Sequence, residues 1–574
     1  MSADKIDTAK AELNEAKEEL NDLNEEREQH CLLFPTYATK HRLDESNVPK
    51  QTDEWNVRIR GWAFSAPKTS RTRDLFIGLA SRIAGVKQSD ASYELLKDRT
   101  NLFWASNMDS KTEFVVKVIG TTETEKMAIE GDPKDDEKKP GEKLKERLDH
   151  PEHEKSSTIL KPQTGNFNGT LSIKQAIVSK WIDKDKTIVG AVSDAVGGLL
   201  NQVGIHDVFG KKSNDTGAIK LLKIEARRHI KDSPLAIPTY SIVNLLEPEG
   251  YSVISDIDDT IKQTNILDGA RTVFSNTFLN DCKEVSGMAN LYHKWYQNGV
   301  AIHYVSNSPW QLFPMLRTFF DTYNFPPGSA HLKFYDGVFK SAREQKLHPM
   351  ESKFVYIREL LRDFPERKFI LVGDTGEYDP EIYSTIYREN PTRILRIFVR
   401  DVTTEHVKDE PAQSPHHSYA QTFTSTYQYL KTYYKSPEGK EDQKLDETVE
   451  QNAEQSVEQN VEQNVQGQEN NPQKPKRHNS LSASLMNRLH EDMSSIYSSL
   501  HSSSKPDSKH ELPAGVSVNP QDQPVDQQNL VTPLEMFHER LNNLKKGIPD
   551  GIFSTFTDPS ELENDPIIKN ALKY

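Results

Sequence analysis

The chain has 574 residues, enough for two or three folded units at about 150 residues each, yet only 35% are hydrophobic and the mean hydropathy is −0.72. That is too polar for one compact body of this length, so part of it is expected to be linker or disorder. A net charge of −14 excludes a general polyanion binder, because counterion release at phosphates needs a basic surface. The two cysteines, Cys31 and Cys282, show neither metal spacing nor a disulfide framework. MSADKIDTAK opens the chain without an apolar stretch, and no run of about 18 uncharged apolar residues follows. The expectation is a soluble intracellular protein.

Residues 1–30 read as a helix. Over 4–29, Ile6, Ala9, Leu13, Ala16, Leu20 and Leu23 form a heptad seam of about three repeats, suited to self-association or to docking on the chain's own core. From 31 to 249 the rhythm is β-rich. EWNVRIRGWAF alternates Trp55, Val57 and Ile59 with polar neighbours, TEFVVKVIG alternates Phe114, Val116 and Val118, and GAIKLLKIEA follows suit. A mostly antiparallel, sandwich-like domain is predicted, with a helix near 74–86, a charged disordered insert at 122–157 and a glycine-rich apolar insert at 187–205.

Between 250 and 402 the apolar strands YSVIS, VAIHYVS, KFILVG and RILRIFV alternate with helical patterns at 286–298, 310–323, 352–364 and 379–390. This predicts a Rossmann-like α/β domain with a parallel sheet covered on both faces, whose ligands bind at the carboxyl ends of the strands. From 403 to 530 the chain is a disordered low-complexity linker, with a four-residue echo, VEQNAEQSVEQNVEQNVQ, inside 445–470. Over 531–574 order returns. Thr532 as N-cap, Pro533 at N1 and Glu535 at N3 open a helix, Leu534, Phe537, Leu541 and Leu544 form its seam, and Gly547 ends it. This helix is expected to dock on the folded body.

The chemistry gathers at the strand ends. YSVIS delivers Asp256, Asp258, Asp259 and Thr260, the second strand ends at Ser306 and Asn307, and the third at GDTGEYD with Asp374 and Asp379. Like charges this close raise one another's pKa unless something positive neutralises them. Carboxylates suit a small hard cation such as Mg²⁺, and an ionised aspartate can attack phosphorus while a second carboxylate moves the proton. A hydroxyl and a lysine would hold the phosphoryl oxygens. Between the second and third strand ends lies Lys353, near a helix start, with Lys333, Lys340 and Lys346 also available. Bland readings stand beside these: Asp379 as a helix cap, Ser306 and Asn307 as turn residues, Asp259 as structural, Thr260 as a brace, Trp310 as packing, and His303 as a satisfied buried histidine.

DIDDT, the strand ending in Ser306, an intervening lysine and GDTGEYD together resemble the four motifs of haloacid-dehalogenase-like phosphatases, in order. The resemblance implies a fold of that type without a large cap. It makes Asp256 nucleophile and Mg²⁺ ligand, and Asp258 general acid/base and metal ligand through its backbone carbonyl. Ser306, Asn307 and Lys353 would bind the phosphoryl group, Asp374 the metal directly, and Asp379 would be an outer metal partner. ISDIDDTIK, YVSNSP, FPPG and DFPERKFILVGDTGEYDPEIY, with FPTY near the start and FTDPSE near the end, are similar to the family of fungal actin-patch phosphatidate phosphatases. That similarity implies Mg²⁺-dependent conversion of phosphatidate to diacylglycerol in the cytoplasm, peripheral to membranes and at cortical actin patches linked to endocytosis.

Roughly 45 residues separate Thr260 from Ser306, too few for a large cap beside the helix they must supply, and an open site suits a macromolecular or interfacial substrate. KTSRTR at 68–73 and KIEARRHIK at 223–231 are candidate anionic-lipid patches. The family's linker is rich in polyproline, whereas this one is rich in Gln, Asn, Glu and Ser. Pro472, Pro475 and Arg477 keep one PxxP arrangement for SH3-domain partners, and KRHNSLSAS offers Ser480 to a basophilic kinase. Two other readings remain: a phosphoprotein phosphatase using the same site, and a catalytically weak cortical scaffold.

Overall fold

The computed structural model describes residues 27–44, 48–67, 71–108, 111–122, 157–163, 165–182, 219–229, 238–334, 349–409 and 532–572. The 187–205 insert, the linker beyond 409 with Pro472, Pro475, Arg477 and Ser480, the alternative lysines Lys340 and Lys346, and nearly all of the 4–29 helix and the 122–157 insert lie outside the described residues. The expected heptad helix does not run to 29, because Arg27 already begins a strand.

That strand, β1 (Arg27–Leu33), belongs to a nine-stranded sheet with β2 (Thr36–Leu43), β3 (Pro49–Pro67), β4 (Ser106–Asn107), β5 (Glu113–Thr122), β6 (Ser157–Leu160), β7 (Asn166–Lys174), β8 (Lys220–His229) and β9 (Thr239–Leu245). All pairings are antiparallel except β2 with β9. The expected sandwich is therefore corrected to one sheet curled on itself. Its order runs β1-β3-β2-β9-β8-β5-β6, and β6 returns beside β7 through the Gln163–Asn166 turn. A Cβ on Gly169 of β7 would sit only 2.4 Å from Leu160 of β6. The reason for one sheet is the 19-residue β3, which takes β2 and then β1 along one edge and β7 and then β4 along the other. Two helices, α1 (Arg71–Ala84) and α2 (Ala91–Thr100), follow β3; the first matches the helix read near 74–86 and the second was not anticipated.

β3 also explains how this sheet meets the rest of the molecule. Successive side chains of a strand point to opposite faces. Trp55, Val57, Ile59 and Ala63 fill the interior of the curled sheet with Phe114, Val116, Leu222 and Val243. The alternate residues Arg58, Arg60, Trp62 and Phe64 face the second body: Trp62 stacks on Trp310 at 4.3 Å between ring centres, and Arg58 grips Asp363 at 2.7 and 2.8 Å.

The second body is built on six parallel strands: β10 (Tyr251–Ser255), β11 (Ala301–Pro309), β12 (Gly328–Lys333), β13 (Lys368–Asp374), β14 (Ile394–Arg400) and β15 (Phe553–Phe556), in the order β12-β11-β10-β13-β14-β15. Its helices are α3 (Ala270–Phe274), α4 (Met288–Gln297), α5 (Phe313–Tyr323), α6 (Pro349–Asp363), α7 (Asp379–Glu389) and α8 (Thr404–Val407). Helices cover both faces, so β10, β11 and β13 are largely apolar until their carboxyl ends and bury nearly every residue. Among the described residues no separate cap interrupts the path from β10 to β11. The strand order reverses between β10 and β13, which makes their carboxyl ends the crevice of the sheet.

The C-terminal segment packs on the α/β body. Helix α9 (Pro533–Lys545) has the full capping box between Thr532 and Glu535 and buries Phe537 and Leu541 against Ile382, Tyr383 and Ile386. β15 then extends the sheet beyond β14, and α10 (Pro559–Glu563), capped by Asp558, and α11 (Pro566–Leu572) close that edge.

Candidate functional site

At the β10–β13 crevice the chain must leave β10 and turn at once. Asp259 takes a left-handed backbone, φ 56°, and its carboxylate accepts from the N–H groups of Thr264, Asn265 and Ile266 at 2.6–2.7 Å. It is a structural brace that shapes the loop. Thr260 lies beneath the acidic side chains, its hydroxyl 3.3 Å from Asp256 Oδ2 and 3.5 Å from Asp374 Oδ2.

Asp256, Asp374 and Asp379 converge, each with a carboxylate oxygen within 4.8 Å of the others, and all are at most 1% exposed. Asp374 Oδ1 accepts from Gly376 N–H at 2.7 Å and Glu377 N–H at 3.1 Å, and its own N–H donates to Asp379 Oδ2 at 3.3 Å. Gly373 leaves room for this packing, since a Cβ there would lie 2.3 Å from Asp379 Oδ2. Lys353, buried at the start of α6, places Nζ 2.6 Å from Asp379, 2.8 Å from Asp256 and 3.1 Å from Glu377. Burial works against its ammonium, but Asp256, Asp379 and Glu377 outweigh it and hold its pKa well above the ordinary lysine range.

One ammonium among four carboxylates leaves negative charge in surplus. Burial, and then the neighbouring carboxylates against the pull of Lys353, push Asp256 and Asp374 well up, and burial moves Asp379 up to about 6. Asp256 Oδ1 is buried without a hydrogen-bond donor, the nearby Lys353 Nζ being out of alignment. Clustered hard oxygens, one of them orphaned, fit a small divalent cation such as Mg²⁺.

The Asp258 carboxylate does not join this cluster. It turns to Lys262 (2.8 Å), Ser308 Oγ (2.6 Å), Thr264 Oγ1 (2.6 Å) and Ser306 Oγ (3.3 Å). Burial works the other way, but Lys262, Ser308 and Thr264 hold its pKa well below the usual carboxylate range. Ser306 also accepts from Ser308 N–H at 2.9 Å, and Asn307 links Ser352 at 2.9 Å to Glu377 at 3.5 Å.

The structure thus brings Asp256, Asp374, Asp379 and Lys353 together, sets Asp258 with Ser306 beside them, and ties in Asn307 through Glu377. Asp379 makes no side-chain cap of α7; its oxygens serve the cluster. Trp310 is packing, stacked on Trp62, and His303 is a buried histidine bonded to Ser329 at 2.7 Å. Glu377, Lys262, Thr264, Ser308 and Arg540 escaped the sequence reading. Glu377, Ser308 and Lys262 sit inside the quoted motifs, which was the available signal. Of KIEARRHIK, residues 223–229 are described, and among them Lys223 is buried over Tyr240 and Arg227 pairs with Glu225, so neither of these two basic groups lies open.

Fold and site together define an α/β body with an acidic, lysine-anchored centre at the switch point of a parallel sheet. Residues 251–401 match the family model described as Phosphatidate phosphatase APP1, catalytic domain. The chain is 40% identical over 167 residues to Phosphatidate phosphatase APP1 of Saccharomyces cerevisiae, an alignment covering 27% of each chain. It is 36% identical over 168 residues to an uncharacterized protein of Schizosaccharomyces pombe, covering 29% of this chain and 27% of that one. The resemblance to this family therefore holds over residues 251–401, and the chain spans about a quarter (27%) of the length of these curated relatives.

Proposed function

We propose that this chain is a Mg²⁺-dependent phosphatidate phosphatase of the haloacid-dehalogenase type, hydrolysing phosphatidate to diacylglycerol and phosphate through an aspartyl-phosphate intermediate on Asp256. The observation that carries the reading is the convergence of Asp256, Asp374 and Asp379 around Lys353 at the crevice. The strand order around β10 and the printed name of the budding-yeast relative support it.

A bound Mg²⁺, held by Asp256, Asp374, Asp379 and the Asp258 carbonyl, would shield the incoming phosphate from the carboxylates and keep Asp256 ionised. Asp256 Oδ then attacks phosphorus; the new P–O bond forms as the bond to the glycerol oxygen breaks. Asp258 supplies the proton to that oxygen. Lys262 keeps Asp258 ionised at rest, and a phosphate dianion arriving beside it raises its pKa and favours the protonated form. Once ionised again, Asp258 takes a proton from the water that hydrolyses the aspartyl phosphate. Lys353 and the Ser306 and Asn307 groups hold the remaining phosphoryl oxygens as charge shifts.

A lipid substrate fits a site without a separate cap, and no helix among the described residues is long and apolar enough to cross a membrane. Peripheral action at cortical actin patches, partners with SH3 domains at Pro472, Pro475 and Arg477, and self-association through 4–29 belong to the same proposal. Its test is turnover of phosphatidate in mixed micelles, a phosphopeptide and an aryl phosphate by the full chain. The expected result is Mg²⁺-dependent release from phosphatidate well above that from the peptide. Preference for the phosphopeptide would replace the lipid reading, and release from none of the three would leave a scaffold.

A further inference from the structure

Helix α9 reaches the acidic centre from well outside the matched range 251–401. Its Arg540 is buried and donates to both Glu381 oxygens at 2.7 Å, to the Thr375 carbonyl at 2.9 Å and to the Glu377 carbonyl at 2.8 Å. Both carbonyls belong to the loop that follows Asp374. The Thr375 carbonyl shares one peptide plane with the Gly376 N–H, and in a trans peptide the two point in opposite directions. That N–H is the one donating to Asp374 Oδ1 at 2.7 Å. Holding the carbonyl therefore aims the amide at the carboxylate. Glu377, whose carbonyl Arg540 also holds, gives its N–H to the same Asp374 oxygen and its carboxylate to Lys353. Phe537, one turn before Arg540, and Leu541, the residue after it, are buried and keep the helix seated.

We propose that Arg540 is a positioning residue for the acidic centre. It fixes the 375–377 backbone from 165 residues along the chain and thereby sets the orientation of Asp374 and Glu377. The site is then incomplete without the C-terminal helix, although every group in the acidic cluster lies before residue 402. This inference rests on reading the centre as a divalent-cation site.

The test uses the full chain with Mn²⁺ as a paramagnetic probe, its binding read by electron paramagnetic resonance alongside phosphatidate kinetics and Tm. Groups that orient metal ligands typically change affinity or activity by about 10–100-fold, so Arg540→Gln is expected to weaken Mn²⁺ binding and lower kcat by about that factor, leaving KM nearly unchanged. Arg540→Lys restores part of the loss, and Glu381→Gln, which loosens the arginine but leaves it in place, weakens Mn²⁺ binding about threefold. A folded Arg540→Gln chain with lower Tm and wild-type Mn²⁺ affinity overturns the proposal, because the helix then only holds the fold. Should Arg540→Gln fail to fold, wild-type Mn²⁺ affinity in Glu381→Gln overturns it instead. A wild-type chain that binds no Mn²⁺ overturns the cation reading and this inference together, whereas unaltered variants beside a binding wild type overturn this inference alone.

Discussion

Two of the places where this protein buries charge handle it in opposite ways. Where the curled sheet meets the α/β body, cations and anions are matched: Arg58 with Asp363, Arg60 with Glu359, and Tyr37 adding its hydroxyl to Asp363 at 2.8 Å. At the crevice, Asp256, Asp374, Asp379 and Glu377 share Lys353. A matched buried network holds two bodies together and is complete as it stands. An unmatched one costs stability and is retained where function needs it, which is why the crevice and not the interface is read as the place for chemistry.

The contrast can be broken from either side. Asp256→Asn keeps the shape of the centre but removes the nucleophile, and phosphatidate turnover is expected to fall at least about ten-thousandfold, read as phosphate release. Asp363→Ala leaves Arg58 with Glu359 at 3.9 Å in place of its close partner, and urea unfolding should show a loss of about 3 kcal/mol. Mg²⁺ at a hundred times its Kd should stabilise the wild type by about 2.7 kcal/mol and raise its Tm, an effect absent in Asp374→Asn.

A fourth expectation concerns the interface histidines. Arg60 can only donate, so His331 Nδ1 accepts from it at 2.7 Å; His331 Nε2–H then faces Ser329 Oγ at 2.9 Å, and Ser329 faces His303 Nδ1. Burial and then Arg367 bring His303 down to about 3, and burial, Arg60, His303 and Arg58 hold His331 well below its ordinary value. Both folded values lie below the unfolded one, so below about pH 6.5 the unfolded chain binds more protons. Their contribution is complete above that pH and is lost as pH falls toward about 3. Between pH 6.5 and 5.5 unfolding experiments should lose about 1 kcal/mol for each histidine, the slope steepening toward about 1.4 kcal/mol per pH unit below pH 5.5, and His303→Gln should remove one share. The smallest effect has the opposite sign to Asp363→Ala: in metal-free protein Asp374→Asn removes repulsion while its remaining oxygen still accepts from Gly376, so stability should rise by about 1 kcal/mol.

The two regions also differed in how readily the sequence disclosed them. YSVIS, VAIHYVS, KFILVG and RILRIFV were legible because strands buried on both faces are continuously apolar. Gly328–Lys333 was not, since its polar Ser329, His331 and Lys333 are buried where the sequence suggests exposure, and Phe553–Phe556 is too short to show a period. In β3 the alternation of Trp55, Val57 and Ile59 was plain, but its other face looked solvated. Arg58 and Arg60 turned out to be interface residues, and nothing local distinguishes an arginine aimed at water from one aimed at a buried Asp363. The same holds at the site. Aspartates crowded at strand ends announce themselves, whereas Lys353 was singled out among four lysines only through the resemblance, which places a lysine near the helix leading into the last motif's strand. Arg540 sits on what reads as the polar face of a helix and acquires its role only when that helix docks.

The most direct test of the central claim is to incubate the full chain with phosphatidate carrying a radiolabelled phosphate, quench in acid, and locate protein-bound label by mass spectrometry. The account predicts label on Asp256 in the presence of Mg²⁺, none with chelator, and none in Asp256→Asn. Undiminished turnover by Asp256→Asn, or label on another residue, would contradict it.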